Sequence, residues 1–174
     1  MSFNHTDQSM TEIQKASSTS DCELIAQLAN RIWHEHYTPI IGEEQVLYMI
    51  NKYQSATAIQ AQIQEGKSYF IIQYATSAVG YLSYYEREGS LFLSKLYVDS
   101  RYRGKGIGKK AMQFVEEQAR TLGCARIALT VNKNNHNSIR TYHKMGFKTI
   151  KPIVIDIGNG FVMDDFHMER EMME

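Results

Sequence analysis

Leu91-Phe92-Leu93-Ser94-Lys95-Leu96-Tyr97-Val98 leads to Arg103-Gly104-Lys105-Gly106-Ile107-Gly108, and Ile107, Ala111, Phe114, Val115, Gln118, Ala119 and Leu122 then recur every three or four residues. The first piece is an apolar, partly alternating run and reads as a strand. The last presents one apolar face of an amphipathic helix, broken only by Gln118. Between them the glycines let backbone approach a ligand closely, and a helix N-terminus offers unpaired N–H groups and partial positive charge. Arg101, Arg103, Lys105, Lys109 and Lys110 add full charges. The natural guest of such a turn is an anion.

Spacing separates the known phosphate-binding loops. A P-loop requires G-x-x-x-x-G-K-[ST]; here Arg103 stands where the first glycine belongs, and Lys110 follows Lys109. A dinucleotide fingerprint requires G-x-G-x-x-G; Gly104 and Gly106 begin it, but Lys109 ends it. The pattern that fits is [Q/R]-x-x-G-x-[G/A], met at Arg103, Gly106 and Gly108. Further on, Ile127-Ala128-Leu129-Thr130-Val131 reads as a strand and precedes Asn137-Ser138-Ile139-Arg140-Thr141-Tyr142-His143-Lys144-Met145-Gly146-Phe147.

These two segments, in this order and at this distance, resemble the acyl-coenzyme-A loop and the second motif of the GNAT N-acetyltransferase family. The resemblance, with flanking elements, covers roughly residues 10–170. It implies the GNAT α/β (α+β) fold: a mixed, mostly antiparallel sheet of about seven strands with helices on both faces. It also implies acetyl-CoA as acyl donor, with Arg103, Gly104, Lys105, Gly106, Ile107 and Gly108 around its phosphates. The backbone of Leu96, Tyr97 and Val98 would pair with the pantetheine arm. Asn137 would touch that arm, although an asparagine there is equally an N-cap. Lys144 could reach a phosphate or stay solvated. Tyr142 would be the general acid for the departing thiolate, and its competing reading is a core residue packed with Ile139 and Met145.

Some members carry a glutamate base on the central strand, but here that region reads Ser94-Lys95, so no carboxylate base is carried over. Tyr37, Tyr84 and Glu86 are the candidates for the acceptor side. The stretch Trp33–Ile41 and the closing hairpin look similar to bacterial members that acetylate spermidine, spermine or diamines. Transfer would be by direct attack of a primary amine in a ternary complex. Alternatives are a non-catalytic CoA-binding domain, or acetylation of a protein or antibiotic amine. A homodimer through the C-terminal strands is a further implication.

Composition agrees with this class. The chain has 174 residues, 43% hydrophobic and 22% charged, with 19 basic and 19 acidic side chains. That length suits one domain; residues 1–10 read as a flexible tail and 11–174 as a single domain. Zero formal charge argues against nucleic acid or a membrane surface as the main partner. The N-terminus lacks a signal-peptide core, and Cys22 and Cys124 read as reduced and buried, so a cytoplasmic location is expected. His34 and His36 lie two apart, on different sides of a helix, and H-E-x-x-H is absent, so no metal is expected.

The remaining elements follow from local pattern. A strand at 11–16 precedes the turn and cap cluster 17–21, and a helix starts near Asp21 with Pro39 as its latest end. Helices open at Gly42 and Ser55; strands at 68–74, 78–86 and 91–98 form hairpins. After the central helix come a strand at 126–131, a helix at 137–145, and a hairpin of 149–157 and 161–168 turning at Gly158-Asn159-Gly160. Asp164 and Asp165 fall on the last strand, read as a solvent edge or as an acidic rim for a cationic amine.

Overall fold

The computed structural model describes residues 10–173. The elements are β1 (Thr11–Lys15), α1 (Thr19–Ile41), α2 (Glu43–Tyr53), α3 (Ala56–Gln64), β2 (Ser68–Tyr74), β3 (Ser77–Arg87), β4 (Ser90–Val98), a 3-10 turn (Ser100–Tyr102), α4 (Ile107–Thr121), β5 (Arg126–Asn132), α5 (His136–Lys144), β6 (Lys148–Gly158) and β7 (Phe161–Glu171). The strands form a seven-stranded sheet in the order β1-β2-β3-β4-β5-β7-β6. Pairing is antiparallel for β1–β2, β2–β3, β5–β7 and β6–β7, and parallel for β4–β5. The α/β class and the strand count expected from the sequence are those observed. Of the tail expected at 1–10, residues 1–9 lie outside the described residues.

Packing divides the chain into two compact units: residues 10–85 with Lys95–Val115, and Glu86–Ser94 with 116–173. In the first, α1 buries Ile25, Leu28, Ala29, Ile32 and Trp33, the stripe expected of an amphipathic helix. A capping box starts α1: the Asp21 amide donates to Ser18 Oγ at 3.0 Å, and Asp21 Oδ2 accepts from the Ser18 amide at 3.1 Å. Contrary to expectation, the helix runs through Pro39 to Ile41. Proline removes one intrahelical donor, and in the last turn few bonds remain to lose. Gly42 N–H closes the turn onto the Thr38 carbonyl at 3.0 Å.

A polar chain crosses the core of this unit. Trp33 Nε1 donates to Tyr81 Oη (2.9 Å), which donates to Gln54 Oε1 (2.5 Å). Gln54 Nε2 reaches the Tyr53 carbonyl (2.6 Å) and Tyr69 Oη (3.3 Å), and Tyr69 Oη donates to Gln62 Oε1 (2.6 Å). Gln54, Tyr69 and Tyr81 are buried, so these bonds supply what water otherwise would. They join α1, α2 and α3 to β2 and β3. Burial pushes the Tyr81 phenol well above its ordinary value.

In the second unit, Leu91, Leu93, Ile127, Leu129, Phe147 and Met168 form the core. The β6–β7 hairpin turns through Asn159 and Gly160, at φ 57° and 78°, as the Asn-Gly pair predicts. β7 lies between β5 and β6, so it is not the edge expected for Asp164 and Asp165. Asp165 is buried, and Asp164 Oδ1 pairs with Lys133 Nζ at 2.7 Å. Leu122, expected on the buried face of α4, lies past that helix and is exposed. Cys22 and Cys124 are both unbridged and buried.

Candidate active site

The loop after β4 has the local geometry that its glycines require. Gly104 and Gly106 sit at φ 77° and 74°, where a side chain is strained. The first helical bond of α4 runs from Lys110 N–H to the Gly106 carbonyl at 3.0 Å. The amides of Ile107, Gly108 and Lys109 therefore precede the intrahelical ladder, as helix-start donors do. Ile107 is buried and anchors the helix start, while Arg103, Gly104, Lys105 and Gly106 are exposed. A Cβ built on Gly104, Gly106 or Gly108 meets nothing within 4 Å. The backbone here is open to solvent, so an anionic ligand can approach its N–H groups.

The segment leading into the loop is held tightly. Asp99, 2% exposed at its side chain, pairs with Arg31 Nη2 and Arg101 Nη2, each at 2.7 Å. Its Oδ1 also accepts from the Arg101 amide at 3.0 Å. Ser100 Oγ donates to Glu35 Oε1 at 2.5 Å. The Arg101 guanidinium is thus engaged by Asp99, and Lys105 Nζ lies 5.6 Å from the centre of the Tyr74 ring. The hydrogen bonds from Arg101, together with Arg31, hold the Asp99 carboxyl down at about 2, against 3.8 ordinarily.

A carboxyl depressed in the fold stabilises it above the ordinary value, and the contribution fades as pH falls through the folded one. This difference is worth about 2 kcal/mol. Urea unfolding of the wild type and Asp99→Asn at a series of pH values is expected to show a gap of about that size near neutrality. The gap narrows between about pH 4 and pH 2. A gap independent of pH would contradict this.

Leu96, Tyr97 and Val98 end β4 and are only half-buried, although β4 lies inside the sheet. Tyr97 joins an aromatic group with Trp33 (5.5 Å between ring centres), Tyr81 (5.5 Å) and Tyr37 (6.0 Å). The Tyr37 and Tyr97 hydroxyls are 2.8 Å apart and hydrogen-bonded. Next to Tyr37, burial first and then the Arg103 guanidinium hold the His36 imidazole below its ordinary value, against a smaller pull from Glu35. His36 is therefore favoured in its neutral form at neutral pH. Tyr84 is buried with its ring stacked on Phe70 at 5.6 Å.

The structure brings Tyr37 together with Tyr97, and puts 96–98 and 103–108 on one continuous segment of the first unit. Glu86, Asn137, Tyr142 and Lys144 belong to the second unit. Glu86 is exposed at the end of β3, and Lys144 is the exposed last residue of α5. Asn137 is not the cap of its helix. Asn135, buried, holds that position, and Asn137 Oδ1 accepts from Arg140 Nη2 at 2.5 Å. Tyr142 packs edge-on against Phe147 at 5.6 Å, and burial pushes its phenol up to about 12.

Residues 25–147 match the model of the acetyltransferase (GNAT) family. The chain belongs to that family. Among curated proteins, it is 36% identical over 63 residues to spermine/spermidine N(1)-acetyltransferase of Bacillus subtilis, covering 36% of this chain and 41% of that protein. It is 32% identical over 73 residues to a D-amino-acid N-acetyltransferase of Saccharomyces cerevisiae, covering 42% and 45%. The alignments thus span less than half the length of these relatives. Among solved structures, the PaiA N-acetyltransferase of Thermoplasma acidophilum, in complex with coenzyme A, superposes with a TM-score of 0.78 at 23% identity. That match covers 92% of this chain and 98% of the other, and establishes the GNAT fold.

Local pattern does not single out Asp99, nor Gly80, where an added Cβ would lie 2.2 Å from the Tyr97 carbonyl oxygen. Asp99 carried a signal, an aspartate at a strand end, whose side chain can accept from the amide two residues on in an Asx-turn. Gly80 is an isolated glycine inside an alternating strand, a mark of close backbone approach.

Proposed function

We propose that this GNAT chain transfers an acetyl group from acetyl-CoA to a primary amine by direct attack, with a polyamine or diamine as first acceptor. The loop 103–108 carries the reading. Two left-handed glycines, a helix start and open space at each glycine Cβ fit a pyrophosphate close to backbone N–H groups. Acetyl-CoA when bound supplies an activated thioester. Arg103 and the amides of 106–109 hold its phosphates, and backbone of 96–98 aligns the pantetheine arm. Tyr142 acts as proton donor to the leaving thiolate; burial pushes its phenol up to about 12, so the proton is present at neutral pH but held more tightly than by a free phenol. Tyr37 and Tyr97, half-buried and hydrogen-bonded to each other, stand on the acceptor side in this reading, and the similarity to a spermine/spermidine acetyltransferase supports a cationic acceptor.

Two loop variants and a thiol-release assay over polyamines, amino acids and peptide amines test this. Gly106→Ala forces a side chain to φ 74° and is expected to raise the KM for acetyl-CoA about tenfold or more. Gly108→Ala, at an ordinary φ and with open space, is expected to stay within about threefold, since [G/A] both fit there. Coenzyme A uptake with no thiol release for any amine would leave a binding domain in place of an enzyme.

The proposal extends to a homodimer through β6. That strand ends the sheet order, and Ile150, Val154 and Ile155 are 52%, 61% and 37% exposed. Light scattering is expected to give a dimer that Val154→Lys shifts towards monomer; a monomeric wild type would contradict it.

A further inference from the structure

We propose that Asp99 is a positioning residue for the phosphate-binding loop, acting by pinning the chain just before the glycines to β3 and α1. The inference rests on the reading of 103–108 as a coenzyme A loop.

Every polar part of Asp99 is committed. Its amide donates to the Val79 carbonyl on β3 at 2.7 Å, and its carbonyl accepts from the Tyr102 amide at 3.0 Å. Its buried carboxylate takes Arg31 from α1, and both the amide and guanidinium of Arg101 from the turn that follows. The neighbouring Ser100 is tied to Glu35. Arg31 and Glu35 are four apart, on one face of α1, so one helical turn holds two successive residues of the approach. The next tie closes the turn itself, with the Arg103 amide on the Ser100 carbonyl at 3.3 Å.

Arg103 and the left-handed glycines begin immediately after this clamp, so their direction is set by it. The clamp also decides which cation is available. Arg101, bound at Nε and Nη2, shares the single Asp99 charge with Arg31, so its guanidinium is held at the carboxylate and directed away from the loop. Arg103, two residues on, is exposed and lies beyond the clamp. Without the carboxylate, two guanidinia would converge on an uncharged side chain, and their repulsion would loosen the approach to the loop. A displacement of about 1 Å in a pre-organised donor array costs heavily in ligand affinity.

The test is titration of the wild type, Asp99→Asn, Arg31→Gln and the double variant with coenzyme A by calorimetry, well below each melting temperature, together with kcat and KM for acetyl-CoA. Asp99→Asn is expected to weaken coenzyme A binding and raise KM about tenfold or more, with saturated kcat within about threefold. Arg31→Gln, at an exposed position, is expected to weaken binding about threefold, and the double variant no more than Asp99→Asn alone. A lower melting temperature with unchanged affinity in both single variants would overturn the assignment, as would additive losses in the double. Should Asp99→Asn fail to fold, Arg31→Gln decides alone: about threefold weaker binding supports the assignment and unchanged binding overturns it. A wild type that takes up no coenzyme A would instead remove the functional reading on which the assignment stands.

Discussion

Gly80→Ala is expected to destabilise the protein by about 3 kcal/mol or more. A Cβ at this position would lie 2.2 Å from the Tyr97 carbonyl oxygen and 3.1 Å from both the Tyr97 carbonyl carbon and Val98 Cα. These are backbone atoms, so no rotamer change relieves the contact. The neighbouring amide of Asp99 is held by the Val79 carbonyl, which leaves β4 little freedom to retreat. If the variant folds at all, residues 97–99 must shift, and acetyl-CoA affinity should fall with stability. Urea unfolding and calorimetry measure both; a variant as stable as the wild type would show that β4 yields there at little cost.

Tyr142→Phe is expected to lower kcat about 100-fold, with the KM for acetyl-CoA changed by no more than about threefold. The substitution keeps the ring that meets Phe147 and removes only the hydroxyl. Because burial raises the phenol to about 12, its neutral, proton-bearing form predominates below that pH. An alkaline decline in kcat at around pH 9 would therefore belong to another group. Full activity in the phenylalanine variant would withdraw Tyr142 from the proton transfer.

The loop and the element order were legible in sequence because both depend on local rules. Glycine spacing, apolar period and Asn-Gly turn chemistry act over a few residues. The loop at 103–108 and the hairpin at Asn159-Gly160 form as those rules require. What escaped depends on partners distant in the chain. Asp99 is explained by Arg31 on α1 and Gly80 by Tyr97 on β4, and no window of sequence contains either pair. Asp165 is buried and not on a solvent edge because β7 enters between β5 and β6, an order that local pattern does not encode. Asn135 and Asn137 are chemically alike as caps, and only the backbone distinguishes them. Proline near the end of α1 predicts a stop, but the ladder has little left to lose there and the helix runs on to Ile41.

Trp33 is the chain's single tryptophan, buried, with its indole N–H on Tyr81 and its ring beside Tyr37 and Tyr97. Its intrinsic fluorescence therefore comes from one location, fed by energy transfer from the adjacent tyrosines. Emission should begin towards the blue and move red on denaturation. Any amine that settles among these rings would announce itself as a change in intensity, so acceptors can be screened optically with no label and no turnover.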